Sequence, residues 1–147
     1  MIRRRGREVA LKILYKIDMT GEDNIEITEE NKTIFFENLE QNEKVKTFAK
    51  EIIEGVIKNI KEIDEIISKV SLNWDIKRMS YIDRNILRIG TYEIVFRKDI
   101  PSVVSINEAI EISKKYGDKD SSKFINGILH KIKELYRNSE KVDENET

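Results

Sequence analysis

Two stretches of this sequence carry residue types suited to chemistry on an anion. The first is Arg3, Arg4, Arg5 and Arg7, at the start of a helix that the periodicity predicts over residues 1–19. A positive cluster at a helix N-terminus opposes the macrodipole by roughly 0.3–1 kcal/mol per charge. The placement makes physical sense if an anion neutralises it, and guanidinium forks match phosphate oxygens. The plain alternative is a solvated helix start. The second stretch is Lys114-Lys115-Tyr116-Gly117-Asp118-Lys119-Asp120-Ser121-Ser122-Lys123-Phe124, which mixes lysines with two aromatics around a helix–turn–helix junction. The turn leaves the first amides of the next helix free to meet a phosphate. Tyr116 and Phe124 could stack on bases, each worth ~1–3 kcal/mol if exposed. The alternative is that both rings are core and the lysines solvate the turn.

Other chemistries find little support. His130 is the only histidine and there is no cysteine, so thiolate metal sites and disulfides are excluded and a lone imidazole does not make a metal centre. Neither a Gly-x-Gly-x-x-Gly run nor a P-loop occurs. Carboxylates are abundant, but in a chain that is 37% charged they read as solvated faces, and nothing nominates an acid–base pair.

The elements that must position the two basic stretches are helical throughout. The most enclosed is Ser80–Phe96. Ser80, three residues before Asp83, is suited to cap it. Ile82, Ile86 and Ile89 lie on one face and Leu87 and Ile94 on another, so neighbours are expected on more than one side. Gly90, mid-helix, costs about 1 kcal/mol relative to Ala and points to close approach by another helix. Ahead of this central helix, Ala10, Ile13, Leu14 and Ile17 form the stripe of the first helix, and Gly21 is its expected stop. Thr28 and Glu29 open a polar helix through Leu39. Val45, Phe48, Ala49, Ile52, Ile53, Val56 and Ile57 form a third helix. Asn59 is a candidate bend before Ile60, Ile63, Ile66, Ile67 and Val70. After Pro101, Ser105 with Glu108 matches a capping box. A helix then runs to Gly117, and a last one begins near Ser121 and carries Phe124, Ile125, Ile128, Leu129, Ile132 and Leu135. The expectation is an all-α, single-domain bundle of six or seven helices over residues 1–137, with a disordered tail over 138–147.

At 147 residues and 39% apolar the chain suits one core. The net charge of −1 hides a polarity: residues 1–16 are basic, while from Asp18 to Lys50 acids outnumber lysines nine to four. A basic pole on a near-neutral chain suggests a localised anionic partner. No window approaches the ~20 apolar residues of a membrane span, and the N-terminus lacks a signal peptide's pattern. A cytoplasmic location is expected.

Several runs then resemble a known family. They are Arg3-Arg4-Arg5-Gly6-Arg7-Glu8-Val9-Ala10-Leu11; Ile82-Asp83-Arg84 through Gly90; Asp99-Ile100-Pro101 followed by Ile106-Asn107-Glu108-Ala109; and Lys115-Tyr116-Gly117 with Ser122-Lys123-Phe124-Ile125-Asn126-Gly127. Their order and spacing are similar to those of the NusB family of bacterial transcription antitermination factors, along nearly the whole chain. The resemblance implies an all-helical RNA-binding protein with no catalytic activity and no cofactor. It implies binding to the boxA element of ribosomal RNA transcripts together with the small-subunit ribosomal protein NusE, in an RNA polymerase complex with NusA and NusG. It carries an RNA-binding role over to Arg3, Arg4, Arg5, Arg7, Lys115, Tyr116, Lys119, Asp120, Lys123 and Phe124. Asp120 is the odd member, expected either to cap the last helix or to accept hydrogen bonds from a base. Contacts with the ribosomal protein are implied for Trp74, Arg78, Tyr81 and Asp83. An apolar helix face could serve a homodimer when that partner is absent. The same helical domain occurs fused to an RNA methyltransferase, an activity for which no residues are expected here. The competing class is a helical protein-interaction module without specific RNA binding.

Overall fold

Helix α1 (Ile2–Met19) buries the stripe that its spacing predicts, and Val9 and Leu11 with it. The computed structural model describes residues 1–20, 42–72 and 75–137. The turn at Gly21, the helix expected from Thr28, Trp74 and the tail over 138–147 lie outside the described residues. The chain forms two compact units divided after Ile60.

In the first unit α1 packs on α2 (Glu43–Lys58). Asn42 starts α2, its carboxamide oxygen accepting from the amides of Lys44 at 2.9 Å and Val45 at 3.2 Å. Phe48, Ala49, Ile52, Ile53 and Val56 supply the buried face. Gly6 lets the two helices meet: a Cβ there would stand 2.7 Å from Phe48 Cδ2. At the far end Asn59 closes α2, donating from its side chain to the Gly55 carbonyl at 2.8 Å.

In the second unit α3 (Ile60–Val70) turns Ile63, Ile66, Ile67 and Val70 inward. Leu72 then leaves the helix with φ 55°, in the left-handed region where a side chain is strained. A 3-10 turn over Ile76–Arg78, capped by Asp75, precedes the central helix α4 (Tyr81–Phe96). Ser80 caps α4 as expected, accepting from the Asp83 amide at 3.0 Å. Helices α5 (Ser102–Tyr116) and α6 (Ser121–Tyr136) pack against α4 and each other. Gly90 faces Leu129, whose Cδ1 lies 2.8 Å from where a Cβ would sit, so the expected close approach is real.

The interior of α4 is also polar. Arg88, 5% exposed, grips Asp64 of α3 through two bonds of 2.9 Å and adds Asn85 at 3.1 Å. Arg137, at the end of α6, donates to the carbonyls of Ile94 at 2.7 Å, Arg97 at 2.9 Å, and Glu93 and Ile100 at 3.2 Å. A cation thereby satisfies the last carbonyls of α4, where the helix dipole is negative.

The capping box expected at Ser105 and Glu108 does not form. Helix α5 starts directly after Pro101, which holds the N-cap position without a side-chain bond. A proline at a helix start loses no intrahelical bond, since the first amides have no partner there. Ser105 is left inside the helix and buried, donating to Glu93 Oε1 at 2.9 Å. Among the described residues the six α-helices are joined by no strand, and none is long and apolar enough to cross a membrane.

Candidate nucleic-acid interface

The four N-terminal arginines divide. Arg3 is exposed and Arg4 and Arg5 are half-buried, with Arg5 paired to Glu8 at 3.7 Å. Arg7 is 2% exposed. Two of them lean on Phe48, whose ring has the Arg3 guanidinium 5.1 Å from its centroid and that of Arg7 5.3 Å away. Arg3 and Arg7, four residues apart, occupy one face of α1 and share the ring between them. Gly6 makes the room. Cation–π contact over a shielded ring fixes both guanidinium groups more firmly than a solvated helix start would. An open depression of about 350 Å³ beside Arg3 is lined also by Lys44, Glu43 and Glu51. Its mixed charge does not single out an anion, so the basic character resides in the projecting arginines.

The α5–α6 turn is built from short side chains. Gly117 closes α5, and a Cβ there would meet Ser121 Oγ at 2.5 Å and the Ser113 carbonyl at 2.9 Å, so space alone demands glycine. The Asp118 amide donates to Ser121 Oγ at 3.0 Å, and the Asp118 carboxylate accepts from the Asp120 amide at 3.0 Å and from Ser121 Oγ at 3.3 Å. The hydroxyls of Ser113 and Ser122, 2.8 Å apart, tie the end of α5 to the start of α6. Asp120 holds the N-cap position of α6, yet its carboxylate caps nothing. Of its two expected roles, capping is therefore overturned, because Asp118 and Ser121 already organise the turn.

On this frame Lys115, Lys119, Asp120 and Lys123 are exposed, and Tyr116 and Phe124 are half-buried. The two rings are thus neither sealed in the core nor free. The Lys115 ammonium stands 5.3 Å from the Tyr116 centroid. Lys119 and Lys123 have no hydrogen bond or ion pair among the described residues.

Of the residues expected to meet the ribosomal protein, Arg78 and Tyr81 are exposed, with the Arg84 guanidinium 4.4 Å from the Tyr81 centroid. Asp83 is half-buried beside the α5–α6 turn. Burial pushes its carboxyl above the ordinary carboxylate range and the Asp118 charge adds to this, while hydrogen bonding from Ser121 and Ser80 pulls the other way. Its Oδ1 is buried without a partner. Asp83 is therefore brought together with the turn. Sequence reasoning missed Phe48 as the shelf of the arginines, and missed the Asp118–Ser121 pair. The Asp-x-x-Ser spacing was the available signal for the pair.

The NusB family model matches residues 4–134. The chain belongs to the NusB family. It is 46% identical over 134 residues to the transcription antitermination protein NusB of Desulfitobacterium hafniense strain Y51, covering 91% of this chain and 89% of that one. It superposes on the solved T. maritima NusB with a TM-score of 0.81 at 40% identity over 96% of each chain. A chain of the crystal structure of antitermination factors NusB and NusE in complex with dsRNA matches with a TM-score of 0.79 at 32% identity, covering 92% of this chain and 98% of that one. The all-helical architecture expected from the periodicity is the architecture of the family.

Proposed function

We propose that this family member is a transcription antitermination factor without enzymatic activity. It binds the boxA element of ribosomal RNA transcripts together with the ribosomal protein NusE, within an RNA polymerase complex that includes NusA and NusG. The observation that carries the reading is the α5–α6 turn, where Lys119 and Lys123, without an ion pair among the described residues, flank half-buried Tyr116 and Phe124 on a hydrogen-bonded frame. A solved relative of the same fold is found with NusE and dsRNA. Arg3, Arg4 and Arg5 meet phosphates, which give affinity with little sequence information. Arg7 acts behind them by holding Phe48. Tyr116, Phe124 and the free carboxylate of Asp120 meet unstacked bases, where sequence is read. Arg78 and Tyr81, with Trp74, meet NusE.

The test is a titration of boxA RNA and a scrambled RNA with the protein, with and without NusE. The expected result is tighter binding of boxA, strengthened by NusE. By thermodynamic reciprocity, RNA then strengthens the protein–protein contact by the same factor. Equal affinity for both RNAs, in the presence of NusE as in its absence, overturns the reading in favour of a protein-interaction module.

A further inference from the structure

The exposed face of α6 carries Lys123, Gly127, His130, Lys131 and Glu134 as one helical stripe. Leu135, expected among the core residues, is 59% exposed at the far end of the stripe because it falls on this side of the helix. Gly127 stands in the middle of the stripe, and a Cβ built there would meet nothing within 4 Å. Gly6, Gly90 and Gly117 differ: each has Phe48, Leu129 or Ser121 where a side chain would go. Neighbours among the described residues account for those three and not for Gly127. In a helix interior only proline is less stable than glycine, and an open position gives nothing back through packing. What glycine does supply is close approach of a ligand or another backbone.

The surroundings indicate the ligand. Lys123 and Lys131, one turn to either side of Gly127, carry no hydrogen bond or ion pair among the described residues. The acids of the face, Asp120 and Glu134, stand at its two ends. The stripe runs on from Lys119 and Lys123 of the turn. A partner helix seated on a small-residue notch needs apolar neighbours, and the exposed side chains within one turn of Gly127, namely Lys123, His130 and Lys131, are polar, with exposed Leu135 two turns away.

We propose that this face of α6 seats an RNA sugar–phosphate backbone, which crosses the helix at Gly127 with Lys123 and Lys131 holding phosphates on either side, about 12 Å apart along the axis. The seat lengthens the RNA surface of the α5–α6 turn and rests on the RNA reading of that turn.

The test uses the full chain with Gly127→Ala, Gly127→Gln and Lys131→Ala, read by thermal melting and by titration with boxA RNA and with NusE. Both glycine variants should melt higher than the parent, since each adds a better helix former in open space. Both should bind RNA more weakly, by about tenfold for Gln, the equivalent of one charge-assisted contact, and less for Ala. NusE binding should be unchanged. Lys131→Ala should weaken boxA and scrambled RNA alike and lower the salt slope by roughly 0.7. Raised melting with unchanged RNA affinity overturns the seat; the reading of the turn survives if Lys119→Ala still weakens binding. Lost NusE binding with RNA affinity kept assigns the notch to a protein and also overturns it. A lower melting temperature for Gly127→Ala removes the premise. No RNA binding by the parent overturns the seat together with the reading beneath it.

Discussion

The basic end of α1 and the α5–α6 turn hold similar cations by opposite means. At α1 long guanidinium side chains lean on a ring from another helix, and Arg3 and Arg7 are placed by Phe48. At the turn Lys115 lies against Tyr116, whereas Lys119 and Lys123 have no hydrogen bond or ion pair among the described residues, and the backbone beneath them is fixed by Asp118, Ser121 and the Ser113–Ser122 pair. Packing sets the first region and local hydrogen bonding sets the second. Groups placed by packing suit phosphates, whose contacts tolerate small shifts. Reading a base edge requires an acceptor on a rigid frame, and Asp120, the proposed reader, stands on such a turn.

The largest effect should come from Phe48→Ala. It removes a ring that is 6% exposed from the α1–α2 core and strips the shelf from two arginines. The expected cost is ~3–5 kcal/mol of stability, measured by denaturant unfolding. Phe48→Leu keeps most of the burial and loses the cation–π contacts. It should fold, yet bind boxA and scrambled RNA more weakly in equal proportion. If Phe48→Leu binds both RNAs like the parent, the arginines owe nothing to the ring.

Gly117→Ala breaks the other frame. Its Cβ would push on Ser121 Oγ and the Ser113 carbonyl, and the carbonyl cannot step aside as a flexible side chain can. A loss of ~1–3 kcal/mol is expected, together with reduced discrimination between boxA and its variants. Discrimination kept in a destabilised Gly117→Ala protein would mean that the turn does not read sequence.

How much of this the sequence discloses follows the same division between local and distant causes. Helix α4 was legible because dense isoleucines at helical spacing and a serine cap are both local signals, and Gly90 announced its neighbour. Ser105 with Glu108 misled because the short capping-box pattern also fits a buried serine inside a helix, and Pro101 was the stronger boundary. Arg7 is indistinguishable from Arg3, Arg4 and Arg5 by type. Only the packing of α1 on another helix separates the buried guanidinium of Arg7 from the exposed one of Arg3, although both lean on Phe48. Arg137 reads as the last residue before a polar tail, yet its partners are four carbonyls around the end of α4, which no local pattern reveals.

A smaller and more diagnostic effect compares Arg4→Ala with Arg5→Ala in one variant against Asp120→Asn in another. The double arginine variant should weaken both RNAs alike and lower the salt slope by roughly 0.7 per lost phosphate contact on a single strand. Asp120→Asn removes a negative charge near phosphates and costs the turn nothing, since that carboxylate caps no amide. Affinity should rise by a few-fold at most, with altered discrimination among boxA variants. Titrations at two salt concentrations check both. Loss of discrimination in the arginine variant, with Asp120→Asn silent, would reverse the assignment of the two regions.

The smallest effect is expected at Asp83, where the turn's frame meets a charge it does not need. The folded-state pKa of Asp83 lies above its unfolded value, chiefly through burial and then the Asp118 charge. The folded chain therefore keeps the proton over a pH range in which the unfolded chain has released it, and stability falls as pH rises through that window. At neutral pH the ionised carboxylate is a net cost, with Oδ1 buried and unpartnered. Asp83→Asn keeps the shape and removes the charge beside Asp118. It should melt about a degree or two above the parent at pH 7, and that advantage should vanish below about pH 3.9, where the carboxyl is protonated in both states. RNA discrimination should be unchanged, because the hydrogen bonds of Asp118 and Ser121 that fix the turn remain. An equal advantage at both pH values would show that shape, not charge, sets the cost of Asp83. Altered discrimination would show that the frame extends into α4 and that the turn is not the self-contained unit contrasted with α1.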